Sequence, residues 1–459
     1  MYAWKILREE LNRGKVKFFQ LMTHLSHLRI SGFKSIDEIE VEPSKINLIT
    51  GRNNYGKTSL LESIALLSNP EYIKEFEDRV GKIINVNRSS LSISYKYRKE
   101  QFSVFDDYSS ENPGMEQGEL GVRRAKDREV SNILIHTIDD IIELNEEYPT
   151  RSPYIIDEDS LNGGELNEIV QQTLRKSLSN LSEETLLKNA SSNIVILEFK
   201  GQDYPYIFLD ESYDRLREVL IDDAIKIFEE QYSLPEEYFV DNQDTAPLRN
   251  TYQNMLVPRF GRGRFIDDSP PQFGGVKFKK RVRLNAEEVN LEKDNAAIRT
   301  QRIENYIRDN NIVKGLKDFS FNKLVFADDD GEPYEIPYEF MGDGFKTVVG
   351  VLWELFDENR EGNILLLEEP ENHMHPGYIE SLVEQLISIS EKSGVQLFIT
   401  THNYDFINAF ISEHISRKHS KYLEESFKLF QLTEPVNREY GYEEVQHKLD
   451  DLNLDLRGI

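Results

Sequence analysis

The loop at residues 51–59 constrains the fold of this chain more than any other feature. It follows the apolar run 46–50 and precedes the apolar run 60–67, and its residues are Gly51, Arg52, Asn53, Asn54, Tyr55, Gly56, Lys57, Thr58 and Ser59. Gly51 and Gly56 let the backbone turn back on itself, so that successive N–H groups and the positive end of the following helix point at one anion. Lys57 adds a charge, and the Thr58 hydroxyl stands where a phosphate-bound Mg²⁺ would lie. The Gly-x4-Gly-Lys-Thr spacing therefore predicts a phosphate-binding P-loop rather than an ordinary glycine turn.

Composition excludes several classes of function. The 459 residues predict two or three structural units, and the formal charge of −27 argues against non-specific coating of duplex DNA, which needs a basic face. The absence of cysteine excludes disulfides, thiolate zinc sites and cysteine nucleophiles. No apolar run reaches membrane-spanning length, and the first 20 residues lack the apolar core of a secretory signal. We therefore expect a soluble cytoplasmic protein without a membrane partner.

The order of the remaining patterns predicts an α/β fold in which a two-lobed mixed sheet carries a helical insertion. Residues 1–21 suggest a short charged helix, 27–30 and 36–41 an antiparallel pair, and 91–97 and 101–105 a second hairpin. Strand patterns recur at 194–199 and 206–209, and helical patterns at 133–144 and 213–232. The predicted domains are an N-terminal extension 1–24, a first nucleotide-binding lobe 25–105 plus 191–210, an acidic helical insertion 106–190, a helical arm and basic loop 211–275, and a second lobe 276–459.

A second candidate site segment is the apolar run 363–367, which ends in Glu368, Glu369 and Pro370. Such a run is typical of a strand buried on both faces of a parallel sheet, and ligands bind at the carboxyl ends of these strands. We expect Glu368 to orient the Mg²⁺ and Glu369 to polarise an attacking water. The alternative is a strand that simply ends in solvated acids.

Two shorter segments complete the candidate site. The apolar residues 397–399 lead through two threonines to His402, which is placed to contact a γ-phosphate and to hold a water against Glu369; a structural histidine is the alternative. Gly342, Asp343 and Gly344 open a helix that runs to about residue 356. This segment is either a plain capped helix or an anion site aimed at a nucleotide held by another subunit.

One dense basic segment lies between residues 258 and 283. Its cations are interleaved with aromatic residues, and they are Arg259, Arg262, Arg264, Lys277, Lys279, Lys280, Arg281 and Arg283, with Phe260, Phe265, Phe273 and Phe278 between them. Charge and stacking of this kind can hold a nucleic-acid strand. Solvated cations that balance a very acidic surface would give the same pattern, and this is the interpretation we favour.

In this order the motifs resemble those of the ABC-type ATPases of the OLD family, which are relatives of the RecF and SMC nucleotide-binding domains. The resemblance covers about 28–67 and 339–410, and it implies a P-loop ABC-type ATPase fold. It makes 51–59 the Walker A loop, Glu368 and Glu369 the end of Walker B, and 342–344 the signature motif. Residues 372–376 correspond to the D-loop and His402 to the switch histidine. The implied activity is Mg²⁺-dependent ATP hydrolysis in a homodimer or larger assembly.

The chain departs from that family pattern at three points. Glu368 stands where most ABC proteins have aspartate, and Gly342 stands where the signature serine is usual. The tail from His414 is too short for the Toprim nuclease domain of OLD nucleases, and His373 and His375 coincide with the D-loop, so we do not expect them to bind metal. Resemblance to standalone OLD-like ATPases implies an anti-phage sensor or scaffold that controls a separately encoded nuclease or toxin. The alternative is a RecF- or SMC-like repair ATPase that binds DNA directly.

Overall fold

The structure is a computed structural model. It describes residues 19–103, 115–146, 163–189, 194–232, 247–259, 261–266, 269–271, 276–279, 283–290, 295–309, 312–327, 331–356, 364–372, 374, 376–433 and 437–451. In these ranges no helix has the length and apolar character needed to cross a membrane. Residues 1–18 of the helix predicted at 1–21 lie outside the described residues. Its last three residues were predicted wrongly, because they belong to a strand that begins at Phe19.

The strands are β1 Phe19–Phe33, β2 Ile36–Val41, β3 Ile46–Gly51, β4 Ser90–Ser103, β5 Met115–Arg124, β6 Ile194–Phe199, β7 Gln202–Phe208, β8 Gly263–Phe265, β9 Val276–Lys279, β10 Leu316–Phe319, β11 Lys323–Ala327, β12 Pro333–Pro337, β13 Ile364–Glu368, β14 Gln396–Thr400, β15 Phe427–Leu432 and β16 Arg438–Gly441. The helices are α1 Lys57–Ser68, α2 Asp127–Glu146, α3 Gly163–Asn180, α4 Glu183–Asn189, α5 Glu211–Gln231, α6 Pro247–Met255, α7 Ala296–Asp309, α8 Asp343–Leu355, α9 Pro376–Ser393, α10 Tyr404–Ala409, α11 Glu413–Ser426 and α12 Tyr442–Gln446. Segments of 3₁₀ helix occur at Pro70–Lys82, Ala286–Glu288 and Tyr338–Phe340.

The described residues fall into two compact units. The first comprises residues up to 70, 92–119 and those from 272 onward, and the second comprises 71–91 and 120–271. The predicted domain boundaries stay a prediction. The α/β class that the sequence predicted is confirmed, because parallel strands alternate with helices in the first unit.

A six-stranded sheet in the first unit positions the candidate site. Its order is β16-β15-β3-β14-β13-β9, and every pair is parallel except the antiparallel edge pair β15–β16. Strands β3 and β14 are buried along their whole length, as expected for strands covered on both faces. Because β3, β14 and β13 are adjacent and parallel, their carboxyl ends meet at one edge of the sheet.

The P-loop helix α1 is buried nearly throughout, with Leu60, Leu61, Ile64 and Leu66 at 1% exposure or less. Such burial on all sides is typical of a helix that packs inside a domain. The helix therefore holds the residues at its amino end in a fixed position.

The amino end of β14 is fixed by the side chain of Gln396, which is fully buried. Its Oε1 accepts a hydrogen bond from the Leu25 N–H at 3.0 Å, and its Nε2 donates to the carbonyls of Leu25 at 2.8 Å and Ser44 at 2.7 Å. An amide can do this because it carries both a donor and an acceptor. Gln396 thus joins β14 to β1 and to the connection that precedes β3.

Antiparallel pairing confirms one predicted hairpin and corrects another. Strands β1 and β2 pair as predicted, with Ile30 opposite Ile39. The second predicted hairpin is wrong, because residues 91–97 and 101–103 lie in one continuous strand, β4. Strand β1 extends back to Phe19 and provides backbone partners for residues 98–100, so β4 continues where the hairpin required a turn.

The second unit combines antiparallel strands with helices. Strand β6 pairs with β5 and β7, and β7 pairs with β8. The predicted helix around residue 138 is confirmed as α2, which buries Ile133, Ile138, Ile141 and Ile142. Together with α3, α5 and α6 it forms a separate hydrophobic core. This unit therefore has a core of its own, as an independently packed domain requires.

Candidate nucleotide-binding and hydrolysis site

The P-loop backbone has positive φ angles at three positions, two of which are glycines. Gly51 has φ of +141°, and a Cβ atom there would lie 2.5 Å from the Leu432 carbonyl oxygen. Gly56 has φ of +93°, and a Cβ atom there would lie 2.8 Å from Cγ1 of Ile36. Between them Asn54 has φ of +69°. The loop therefore turns back sharply and delivers the chain to the first residue of α1.

Lys57 is the first residue of α1 and is 7% exposed. Its Nζ donates to the carbonyl of Gly51 at 2.8 Å and to that of Arg52 at 3.3 Å, so the ammonium lies across the loop. Burial lowers the pKa of Lys57, while the charges of Glu369 and Glu368 act in the opposite direction. The ammonium is thus a partly desolvated donor surrounded by backbone oxygens.

Thr58 and Glu368 meet across the sheet edge. The Thr58 hydroxyl donates a hydrogen bond to Oε1 of Glu368, although the two residues are 310 positions apart in sequence. Thr58 is fixed by α1 and Glu368 is the last residue of β13. A hydroxyl and a carboxylate side by side are oxygen ligands of the kind that Mg²⁺ takes from proteins that bind nucleotides. The donor set therefore fits the metal that the sequence predicted here.

Glu369 lies at the centre of a second cluster. Its Oε1 is 2.9 Å from Nδ1 of His402, and its Oε2 accepts a hydrogen bond from Nδ2 of Asn372 at 2.9 Å. Its φ is +44°, a left-handed conformation that is strained for a non-glycine residue. Its N–H donates to the Thr400 carbonyl at 3.1 Å. The strained residue is thereby held at the end of β13 with its carboxylate facing His402.

The ionisation of Glu369 follows from these contacts. Burial alone would raise the pKa of Glu369, but the hydrogen bonds from Asn372 and His402 and the charges of His402 and Lys57 together lower it. The side chain is 24% exposed and that of His402 is 54% exposed. The site thus contains an ionised carboxylate that solvent can reach.

A profile of the AAA ATPase domain family matches residues 24–407 of the chain. The chain belongs to this family. The matched range includes the P-loop, the acidic end of β13 and His402.

Shorter matches connect the ATPase to curated proteins. The DNA replication and repair protein RecF of Nitrosococcus oceani is 49% identical over 47 residues, and that of Saccharophagus degradans is 44% identical over 48 residues. Each match covers 10% of this chain and 13% of RecF, so most of RecF is not represented. The uncharacterized protein MJECL11 of Methanocaldococcus jannaschii is 26% identical over 122 residues, which are 26% of this chain and all of that protein.

Comparison with solved structures finds two SMC head domains at low similarity. The Smc head domain of Pyrococcus furiosus bound to the C-terminal domain of ScpA is 10% identical, with a TM-score of 0.39, and the match covers 94% of this chain and 100% of that one. The SMC head domain of Thermotoga maritima is 9% identical, with a TM-score of 0.39, and the match covers 91% and 98%. These scores are low, so the fold assignment of the ATPase rests on its strand order and its family.

The other predicted P-loop residues line the mouth of the loop. Arg52, Asn53 and Asn54 are exposed, and Tyr55 is partly buried. Ser59 is buried, and its hydroxyl is 3.5 Å from that of Ser35 in the β1–β2 turn. The loop thus presents polar side chains outward while α1 faces the β1–β2 turn.

The glycine segment 342–344 is organised separately from the P-loop. Gly342 caps α8, and the Asp343 carboxylate forms a 2.8 Å ion pair with Arg283. A Cβ atom at Gly344 would lie 3.0 Å from Cε of Met374 and 3.1 Å from Cβ of Tyr378. The neighbours of this segment are thus Arg283, Met374 and Tyr378.

Sequence reasoning missed a pocket beside the P-loop. It has a volume of about 370 Å³ and is lined by residues 35–39, Asn54, Tyr55, Leu432, Thr433 and Asn437. It also missed the hydrogen bond from Asn372 to Glu369 and the hydrogen bonds of Thr401 with Glu371 and Asn403. The position of Asn372 three residues after Glu369, in a turn signalled by Pro370, was the one available hint.

The basic segment carries arginines that contact groups of its own unit. Arg264 forms an ion pair with Asp140, Arg262 lies 3.4 Å from Asp214, and Arg259 donates to the side-chain oxygen of Asn145. Phe265 is buried, with its ring centroid 5.2 Å from that of Tyr206. The predicted cations Lys280 and Arg281 and the aromatics Phe260 and Phe273 lie outside the described residues, as do the side chains of Lys277 and Lys279.

Proposed function

We propose that this protein is a Mg²⁺-dependent ATPase of ABC type that hydrolyses ATP and acts as a molecular switch. One observation carries the proposal. Lys57, the Thr58–Glu368 pair and the Glu369–His402 pair all lie where β3, β14 and β13 end side by side. Phosphate binding, metal binding and water activation each have a residue of suitable chemistry at that edge.

Phosphate binding belongs to the P-loop. The N–H groups at the start of α1 and the ammonium of Lys57 attract the phosphate oxygens, since the helix dipole and the lysine charge act in the same direction. The neighbouring pocket of about 370 Å³ lies within the size range of small-molecule sites and takes the nucleoside end of the substrate. Tyr55 and Asn54 line both the loop and this pocket.

Hydrolysis belongs to the acidic cluster. Thr58 and Glu368 would hold Mg²⁺, which neutralises charge on the phosphates when bound. Glu369 accepts the proton of the attacking water, because its lowered pKa keeps it ionised. His402 and Asn372 each hold one carboxylate oxygen of Glu369 at 2.9 Å and thereby orient it.

A second copy of the chain is part of the proposal. Gly342, Asp343 and Gly344 begin α8, whose free N–H groups suit an anion. The exposed aromatics Phe340, at 74%, and Tyr378, at 56%, accompany this segment. We infer that the segment contacts a nucleotide bound by another subunit, so that ATP favours a homodimer or larger assembly.

The test compares ATP binding and hydrolysis. The wild type should release phosphate from ATP in the presence of Mg²⁺ and not in EDTA, and ATP should increase its mass in solution when hydrolysis is blocked by Glu369→Gln. Absence of ATP binding in calorimetry would contradict the assignment of residues 51–59 as a P-loop. Hydrolysis at full rate by a protein whose mass stays that of a monomer would contradict only the proposed assembly with a second copy.

For the cellular purpose, we infer a sensor or scaffold of anti-phage defence that controls a separately encoded nuclease or toxin, as in standalone OLD-like ATPases. The acidic balance of −27 and the arginine contacts with Asp140, Asp214 and Asn145 support a protein that does not clamp DNA. The second candidate is a RecF- or SMC-like ATPase that binds DNA directly. The 47-residue match to RecF favours it.

Fluorescence anisotropy with labelled duplex DNA distinguishes the two purposes. The sensor proposal expects no binding at about 0.15 M salt, where the Debye length is about 8 Å. Tight binding that weakens steeply with salt, by about one unit of slope per phosphate contact, would favour the DNA-binding candidate. Arg262→Glu together with Arg264→Glu should remove that binding if the basic segment carries it.

A further inference from the structure

Glu371 is a buried carboxyl group that the proposed chemistry does not use directly. It is 2% exposed, and its Oε2 has no hydrogen-bond partner among the residues that the structure describes. Burial raises the pKa of Glu371 to about 7. Burial of an ionisable group destabilises a fold, and an apolar residue of similar size would avoid that penalty. The position therefore needs an explanation other than core packing.

The other oxygen of this carboxyl group, Oε1, orients the hydroxyl group of Thr401. Oε1 of Glu371 accepts a hydrogen bond from Oγ1 of Thr401, which is fully buried. The same Oγ1 accepts a hydrogen bond from the Asn403 N–H at 3.0 Å. A hydroxyl has one proton, so donation to Glu371 leaves its lone pairs facing Asn403. Glu371 thus connects the turn after β13 to the backbone after β14.

His402 lies between the two residues held in this way. Its side chain is 54% exposed, so packing restrains it little, and its place depends on the backbone on either side. Thr401 fixes that backbone on one side. Asn403 fixes it on the other, because its Oδ1 accepts from the N–H groups of Asp405 at 2.8 Å and Phe406 at 3.3 Å and so caps α10.

We propose that Glu371 is a positioning residue for hydrolysis. Through the Thr401 hydroxyl it holds the 401–403 backbone so that His402 stays at 2.9 Å from Glu369. The inference rests on the proposed function, because it assigns Glu371 an effect on the Glu369–His402 pair. It predicts that any acceptor oxygen at this place suffices and that loss of the acceptor acts through His402.

The experiment compares two substitutions in two backgrounds. Glu371→Met removes the acceptor at similar length and should lower kcat about 10- to 100-fold with little change in KM, as expected for a lost supporting hydrogen bond. Glu371→Gln retains an acceptor and should restore kcat to within about threefold of wild type. In a His402→Ala background, Glu371→Met should lower kcat further by less than about twofold, because the histidine that Glu371 positions is already absent. Circular dichroism and ATP calorimetry check that each variant is folded.

A second pair of substitutions, at Thr401, tests the same hydrogen bond in case the Glu371 variants do not fold. Thr401→Val removes the hydroxyl at constant shape and should reproduce the loss in kcat, whereas Thr401→Ser should keep most of the activity. Equal losses from Glu371→Met with and without His402 would overturn the inference, as would an unchanged kcat in Glu371→Met. If Glu369→Gln leaves turnover intact, the proposed function fails. If Glu369→Gln stops turnover while the Glu371 and His402 effects are additive, only this inference fails.

Discussion

Lys57 in the nucleotide site and Arg264 in the basic segment are both cations with little exposed surface, but their partners differ. Among the residues that the structure describes, Lys57 forms no salt bridge and donates to the carbonyls of Gly51 and Arg52. Arg264 pairs with the carboxylate of Asp140, and both side chains are at most 26% exposed. A cation held by neutral carbonyls still attracts an anion strongly, whereas a paired guanidinium is already neutralised. The partner, and not the residue type, therefore separates a binding site from a structural ion pair.

The carboxylates show the same contrast. Glu369 is held in a strained conformation by a histidine and an amide. Glu384 also contacts a histidine, His414 at 3.2 Å, but it pairs with Lys418 as well and lies within the ordinary helix α9. Strain that the surrounding structure maintains is typical of functional positions. The four predictions below test whether these differences have the consequences that we assign to them.

The largest effect should come from Glu369→Gln. The substitution retains size and hydrogen bonding but removes the base, so single-turnover ATP hydrolysis should slow by about 10²–10⁴-fold while ATP stays bound. Glu384→Gln is the matched control, since it alters another histidine-paired glutamate, and it should leave the rate unchanged. If turnover survives in Glu369→Gln and is lost in Glu368→Gln, the two roles are reversed.

Lys57→Ala should weaken ATP binding. A charge-assisted hydrogen bond contributes roughly 1.5–3 kcal/mol, so calorimetry should show an affinity about 10- to 100-fold lower. Arg264→Ala removes a cation of similar burial and should leave the affinity unchanged. Equal ATP affinity in the wild type and Lys57→Ala would show that the lysine charge is not directed at phosphate.

Glu371 gives a pH-dependent difference in stability. Its carboxyl group faces the charges of Glu369, which raises its pKa, and His402, which lowers it, and burial is the largest influence. Because the folded pKa of about 7 exceeds the ordinary glutamate pKa of 4.5, the unfolded chain loses this proton first as pH rises. The wild type should therefore lose about 2 kcal/mol relative to Glu371→Gln between pH 5 and 7. Parallel thermal midpoints of the two proteins across this range would contradict the assignment.

The smallest effect should come from Arg264→Ala. Loss of one partly exposed ion pair should lower the free energy of unfolding by about 1 kcal/mol, because Asp140 keeps access to solvent and to His136 at 3.4 Å. Thermal melting should detect this, and hydrolysis should not change. A normal melting temperature combined with lost DNA binding would move Arg264 from the structural class to a nucleic-acid interface.

The sequence predicted elements whose signal is local. The strands that lead to Gly51, Glu368 and His402 were predicted because each is a short apolar run followed by polar groups. The turn at residues 98–100 was predicted wrongly because the partner strand, β1, is distant in sequence. Propensity cannot show that a neighbouring strand is long enough to pair with charged residues.

The partners of charged residues could not be predicted from the sequence either, because these partners are also distant along the chain. Asp140 is 124 positions from Arg264, and Thr401 is 30 positions from Glu371. Without knowledge of these contacts, the cations of the basic segment allowed both a nucleic-acid site and a solvated surface, and the sequence assigned Glu371 no role. The spacing within the P-loop was informative because phosphate binding there depends on adjacent residues.

The side-chain amide of Gln396, at the amino end of β14, affects where the residues at the carboxyl end of that strand lie. Strand β14 is buried between two parallel neighbours, and a slip by one residue would displace everything beyond it by about 3.3 Å. The three hydrogen bonds of Gln396 to Leu25 and Ser44 prevent that slip at the amino end. The spacing between His402 and Glu369 therefore depends on a buried side chain six residues upstream of the histidine, at the other end of the same strand.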